Sequence, residues 1–352
     1  MLRRSRAECC PGPQGLLLAG FRYVTPLGRC AASTCELFLA KPHAKNKQNG
    51  ADLMEGALND KNLANLDLDE LRGEIDEIDQ ALQSLIIRRT KVVQAVGAYK
   101  DRVIAAGGKV KVPYRPAREA RIMRTLVDRH EGAFPKTALI QIWREMIAAG
   151  TRLEAPYTVA LCRNADGVDC WELARLNFGC LNEIIEFDTP REAFGALEEG
   201  RAAVGVFPKP ELGEAMPWWT NLTAQSAVRV VSKLPFGGRP VGRGETTEGF
   251  VLAAIELEDS GDDRTLFVVS LSKEISMDTV RKKIADGIDG SVILGFSDDT
   301  DADRRFVLVD VPGFFCNRAD AFQATLDAQG LRPESLRVVG AYAVPIAEDA
   351  LS

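Results

Sequence analysis

Histidine is nearly absent from this sequence: His43 and His130 are the two in a chain of 352 residues. Eight cysteines stand at 9, 10, 30, 35, 162, 170, 180 and 316, and they make no paired CxxC array. So small a stock of ligands in so scattered an order argues against a zinc centre, and His43 lies in a polar stretch that gives it no catalytic setting. No run approaches 18 consecutive apolar residues, which argues against a membrane-spanning helix. Repeats at solenoid spacing are missing, as are low-complexity tracts after residue 60. The cysteine usage fits reduced thiols in the cytoplasm, with a disulfide among the first four left open. These absences exclude more chemistry than they suggest.

What is present is unevenly spread. Lys and Arg against Asp and Glu count 8 and 5 over residues 1–60, 17 and 13 over 61–155, and 19 and 32 over 156–352. The middle is thus basic and the C-terminal part acidic, as expected of separate modules. A surplus of four positive charges is too weak a field for nucleic acid, yet local cations can serve a small anion.

Residues 1–60 are rich in Gly, Pro, Ser, Lys and Asn and read as a disordered extension. GLLLAGF is too short and poorly flanked for a signal peptide, although an Arg-rich, acid-poor start also fits an organelle address. Met54 is a possible true start. Asp67 and Glu70 then form a capping box, and apolar residues every three or four positions predict a helix from 67 to about 106, stopped at Gly107-Gly108. Further helices are predicted at 117–130 and 135–154. A helix near 40 residues long spans about 60 Å. A three-helix domain cannot cover such a rod alone, so a second copy is the simplest partner.

After Pro156 the pattern changes to short strand-like runs (YTVALC, RAAVGVF, AVRVVS, FVLAAIEL, TLFVVSL, RRFVLVDV, LRVVGAYAV) interleaved with helices at 190–200, 276–287 and 317–329. ELEDSGDDR (256–264) is polar and suits a linker. The predicted order is therefore an extension at 1–60, a helical domain at 61–156, an α/β region at 157–260 and an α+β region at 261–352. Trp218-Trp219 reads as a packed corner and Gly237-Gly238 as a turn.

The first helix poses a question. In LRGEIDEIDQALQSLIIRRTKVVQAVGAYK (71–100), Arg89 falls on the apolar stripe and Lys100 follows on nearly the same face. Buried cations need anions. Internal pairing with Glu119 or Asp79 is the structural answer. The wider set of Arg72, Arg89, Lys100, Arg115, Arg118 and Glu154 holds more cations than buried acids, and fits a pocket for a compact dianion. Arg89 and Lys100 lie roughly 16 Å apart along the axis and can share it, whereas Arg72, about 25 Å before Arg89, cannot. If Arg72 is functional, it serves another subunit.

This stretch, with Arg118-Glu119 after it, resembles the all-helical chorismate mutases over residues 66–155, whose active site spans two interlaced chains. The resemblance implies a cofactor-free and metal-free enzyme that converts chorismate to prephenate as a homodimer. It implies that Arg89 and a partner subunit's Arg72 bind substrate carboxylates with support from Arg118. Lys100 then donates to the ether oxygen, and Glu119 holds the ring hydroxyl. On the third helix Trp143, Ile147, Gly150 and Glu154 share one face; Gly150 stands where a small hydroxyl residue is common, and Glu154 stands as second donor to the ether oxygen. Such a pericyclic reaction needs a held conformer and stabilised charge on that oxygen, and no nucleophile. Glu154 donates only when it carries a proton, so activity is expected to rise toward acid pH.

Residues 157–250 faintly resemble a prephenate dehydratase module. Val168, Asp169 and Cys170 replace its first loop, Lys209-Pro210-Glu211 replaces a Glu-Asn end, and Glu248-Gly249-Phe250 stands at its Thr-Arg-Phe segment without the arginine. Residues 264–346 resemble a diverged ACT-type domain without the ligand-loop glycine. The expected function is a chorismate mutase with a non-catalytic C-terminal half. A bifunctional mutase/dehydratase, a regulatory subunit of another aromatic-pathway enzyme, and a helical dimerisation domain with salt bridges remain alternatives.

Overall fold

Asp67 opens the first helix as the sequence predicts: its Oδ1 accepts from the Glu70 amide at 2.9 Å, and Glu70 Oε2 accepts from the Asp67 amide at 2.8 Å. The computed structural model describes residues 63, 65–108, 114–162, 170–214, 217–238, 248–299 and 302–351, and the expectations for residues 1–60 lie outside them. The chain divides into units at Met1–Leu71 and Arg72–Ser352.

Three helices come first: α1 (Leu68–Ala105), α2 (Pro116–Arg129) and α3 (Lys136–Glu154). The predicted bounds hold to within a residue or two. Helix α1 runs 38 residues and buries a single one, Gly97. Its apolar positions stand exposed, among them Ile75, Leu82, Leu85 and Val92 at 51–59%. Helices α2 and α3 instead turn Ala120, Met123, Val127 and Ile140 onto Phe236, Ala343 and Ile346 of the C-terminal part.

One nine-stranded sheet follows. Its strands are β1 (Thr158–Cys162), β2 (Glu183–Phe187), β3 (Val204–Pro208), β4 (Arg229–Leu234), β5 (Gly249–Ala253), β6 (Asp263–Ser272), β7 (Val292–Asp298), β8 (Arg304–Pro312) and β9 (Ser335–Ala343). Their order is β2-β1-β3-β5-β4-β9-β6-β8-β7. Strands β1, β2 and β3 are parallel, joined by α4 (Cys170–Phe178) and α5 (Pro190–Glu198), which pack on opposite faces. This is the expected α/β part.

From β6 onward the chain runs β6, α6 (Met277–Gly287), β7, β8, α7 (Ala319–Ala328), β9, with both helices on one core. The strand order β9-β6-β8-β7 is a split βαβ arrangement, the expected α+β part. The two parts meet where β4 runs parallel to β9 at Val230 and Gly340. Gly340 is required there, because a Cβ would fall 2.4 Å from the Val230 carbonyl oxygen.

Three elements escaped the sequence reading. Strands β2 and β7 lie at the two edges of the sheet, and β7 carries a bulge between Ile293 and Gly295, which blurs the two-residue alternation. Helix α4 has nine residues, no more than α5, which Thr189-Pro190 and Glu192 mark in the sequence as a capped helix start. The polar stretch 256–264, expected as a linker, holds a hydrogen-bonded corner. Ser260 donates through its amide (2.8 Å) and hydroxyl (2.7 Å) to Asp263, and Arg124 of α2 donates to the carbonyls of Ser260, Asp262 and Val344. Trp218 and Trp219 are fully buried, as a packed corner should be, and Trp218 Nε1 donates to the Pro208 carbonyl at 2.9 Å.

Candidate active site between the first and third helices

Helices α1 and α3 approach at two glycines. A methyl on Gly97 would lie 3.6 Å from the Glu154 Cα, and one on Gly150 would lie 3.5 Å from Arg89 Nη1. At that separation Lys100 Nζ reaches Glu154 Oε2 at 2.5 Å, with the side chains 22% and 17% exposed. About two helical turns back along α3, Arg89 Nη1 donates to the Met146 carbonyl at 3.1 Å. Arg89, Lys100 and Glu154 are thus gathered along one seam. Lys100 meets neither Glu119 nor Asp79, the acids that internal pairing had offered it.

The other candidates have different company. Arg72 is exposed on α1, 17 residues before Arg89. Arg118 is exposed on α2, in a shallow basic surface with Arg121 and Arg129 around Ile122 and Leu126. Glu119 faces the interior, where its Oε2 accepts from Arg144 Nη1 at 2.9 Å. Both members of that pair are buried. Burial pushes the Glu119 carboxyl above its ordinary range, against the opposing pull of the Arg144 guanidinium and an amide hydrogen bond from Arg115. No hydrogen bond or ion pair among the described residues links Arg118 or Glu119 to Lys100 or Glu154.

Arg115, one of the cations of the predicted set, donates through Nη2 to both carboxylate oxygens of Glu258 at 3.0 and 3.1 Å. The sequence reading passed over Arg144. A signal was there: Ile140, Arg144, Ala148 and Thr151 form one buried stripe, and an arginine in that stripe poses the same question as Arg89.

In the sheet region, Val168 and Asp169 lie outside the described residues, and Cys170 begins α4. Glu248 accepts from both Lys209 and Lys233, the latter at 2.8 Å. Burial pushes its carboxyl up, but the two lysines outweigh that and hold it below the usual carboxylate range. Gly249 packs so closely that a Cβ would fall 2.8 Å from the Phe207 carbonyl oxygen. Any side chain there, an arginine included, requires the backbone to shift.

Residues 71–155 match the family model for chorismate mutase type II. The bifunctional chorismate mutase/prephenate dehydratase of Aquifex aeolicus is 30% identical over 171 residues, which is 48% of this chain and 46% of that protein. Its counterpart in Pseudomonas aeruginosa is 30% identical over 145 residues, 40% of this chain and 38% of that one. The chain thus spans less than half the length of these relatives. A prephenate dehydratase structure from Streptococcus mutans superposes with a TM-score of 0.37 and 13% identity, covering 54% of this chain and 98% of the other. No helix among the described residues is long and apolar enough to cross a membrane. The chain therefore carries a chorismate mutase type II domain at residues 71–155, followed by a mixed α/β region.

Proposed function

We propose that the protein is a chorismate mutase of the cytoplasm that works as a homodimer. The observation that carries this reading is the seam of α1 and α3 that holds Lys100 against Glu154 and Arg89 against the Met146 carbonyl, inside the domain that matches the family. Lys100 donates to the ether oxygen as its bond to carbon breaks, and Glu154, when protonated, is the second donor. Arg89 binds one carboxylate of chorismate, and Arg72 arrives from the partner copy to bind the other. Arg118 supports them, and Glu119 takes the ring hydroxyl.

Two features support a second copy. The apolar stripe of α1 is half exposed in the single chain, far more than a helix packed within its own domain leaves to water. Between Glu74 and Asp79 that helix carries four acids, which complement the basic surface of Arg118, Arg121 and Arg129.

The C-terminal half is read as non-catalytic. The close packing of Gly249, together with the lysines that occupy Glu248, leaves no acid among the described residues of that segment free to expel a hydroxyl from prephenate. The alternative is a bifunctional mutase/dehydratase, favoured by the names of the relatives and by an Aquifex alignment longer than the mutase domain. To separate them, purified protein is given chorismate at neutral and mildly acid pH, and the product is identified. Prephenate alone is the expected product. Phenylpyruvate formed before any acid quench would favour the bifunctional reading, and unchanged chorismate would return the arginines to structural duty.

A further inference from the structure

We propose that Arg144, stacked on Phe236 of the sheet region, is a positioning residue of the mutase site that fixes the carboxylate of Glu119. The proposal rests on the mutase reading above, in which Glu119 takes the ring hydroxyl of the substrate. It adds that the C-terminal half helps to build that site.

The buried stripe of α3 is the starting point. An arginine between Ile140 and Ala148 is tolerable only with an anion in reach, since an unpaired buried guanidinium costs several kcal/mol. Glu119 supplies the anion at 2.9 Å, one turn into α2. The Arg144 guanidinium also lies 5.4 Å from the ring centroid of Phe236, just beyond β4. The same ring has Arg124 at 5.8 Å, whose other bonds end on the corner at Ser260 and Asp262 and on Val344. Glu119 is therefore held by two groups, the Arg115 amide at the start of its own helix and Arg144 of α3, and Arg144 in turn rests on Phe236 of the sheet region.

The groups that face Glu119 are few. Arg144 approaches from α3, the Arg115 amide from the start of α2, and the phenols of Tyr114 and Tyr157 stand close enough to feel its charge. Both phenols are pushed upward, by burial first, so they stay neutral through the working range and cannot replace the cation. Arg144 is thus the charge that opposes burial, the larger influence, and limits how far the Glu119 carboxyl is pushed up. A carboxylate can accept more hydrogen bonds than these two donors use, so a ligand hydroxyl can still be taken.

The sign of the effect follows. If the ionised carboxylate is needed, kcat turns down as pH falls through the Glu119 titration. Removing Arg144 leaves burial with less opposition and moves that downturn to higher pH. Steady-state kcat and KM for chorismate across the acid and neutral range test this on the full chain, with circular dichroism to check the fold. In Arg144→Gln the downturn should begin about one pH unit higher or more, and kcat/KM at neutral pH should fall about tenfold or more, as for a lost charge-assisted hydrogen bond. Arg144→Lys should recover part of the loss, and Phe236→Leu should move the profile the same way by less.

A folded Arg144→Gln whose pH profile superimposes on wild type would overturn the proposal. A loss equal at every pH would overturn it too, by marking Arg144 as support for the fold alone. If Arg144→Gln does not fold, Arg144→Lys and Phe236→Leu are read by the same criteria. Wild-type protein inert toward chorismate overturns the mutase reading and this role with it. Active wild type with unmoved variants overturns this role only.

Discussion

Helix α1 and strand β6 use apolar residues in opposite ways. Eight of the ten residues of β6 are buried, whereas α1 buries one of 38. Strand β6 is central, with β8 and β9 on its sides and helices above, so its apolar residues find partners within the chain. Helix α1 carries as regular an apolar stripe and finds few. The difference teaches that an apolar pattern specifies burial without specifying by whom.

The largest expected effect lies on the β6 side. Phe267 is wholly buried, 4.4 Å centroid to centroid from Phe322, so Phe267→Ala should cost about 3–5 kcal/mol in chemical denaturation. A loss below 1 kcal/mol would mean that the core relaxes around the gap. On α1, Lys100→Ala should slow chorismate conversion by about 10²–10³-fold while the melting temperature barely moves. Comparable loss of both would make the Lys100–Glu154 pair a structural one.

Ile78→Asp sharpens the contrast further. In the single chain Ile78 is 48% exposed, so the substitution should leave the monomer fold intact yet weaken self-association by about 2 kcal/mol or more. Sedimentation equilibrium would read this, and an unchanged molar mass would mean that another surface covers the stripe. Glu154→Gln breaks the ion pair with Lys100 but keeps a donor at that position, so chorismate conversion should stay within about tenfold of wild type, and a larger loss would reassign that donor. The smallest effect is at the helix start, where Asp67→Ala should cost about 1 kcal/mol of thermal stability with kcat unchanged.

The three helices were legible because capping residues and a 3.6-residue period are local signals, and that same period marks Arg89 and Lys100 as cations on or beside the apolar face of the first helix. Strands β2 and β7 were not legible, since edge strands face solvent and lack clean alternation. Arg144 stayed hidden for another reason. Its stripe faces α2 and Phe236, and the latter lies 92 residues further along the chain.

By itself the sequence determined the helical domain, its arginine and lysine spacing, the change to α/β chemistry after Pro156, and where along the chain most strands lie. These rest on periodicity and composition, which each segment carries alone. Only the tertiary structure decided that Glu154 meets Lys100 while Glu119 meets Arg144. It also decided that Gly249 leaves no room for a side chain, and that one sheet runs through both C-terminal parts. The physical reason is common to all of these. A charge chooses among several acids, and a backbone tolerates a side chain, according to distances that close only when remote segments pack.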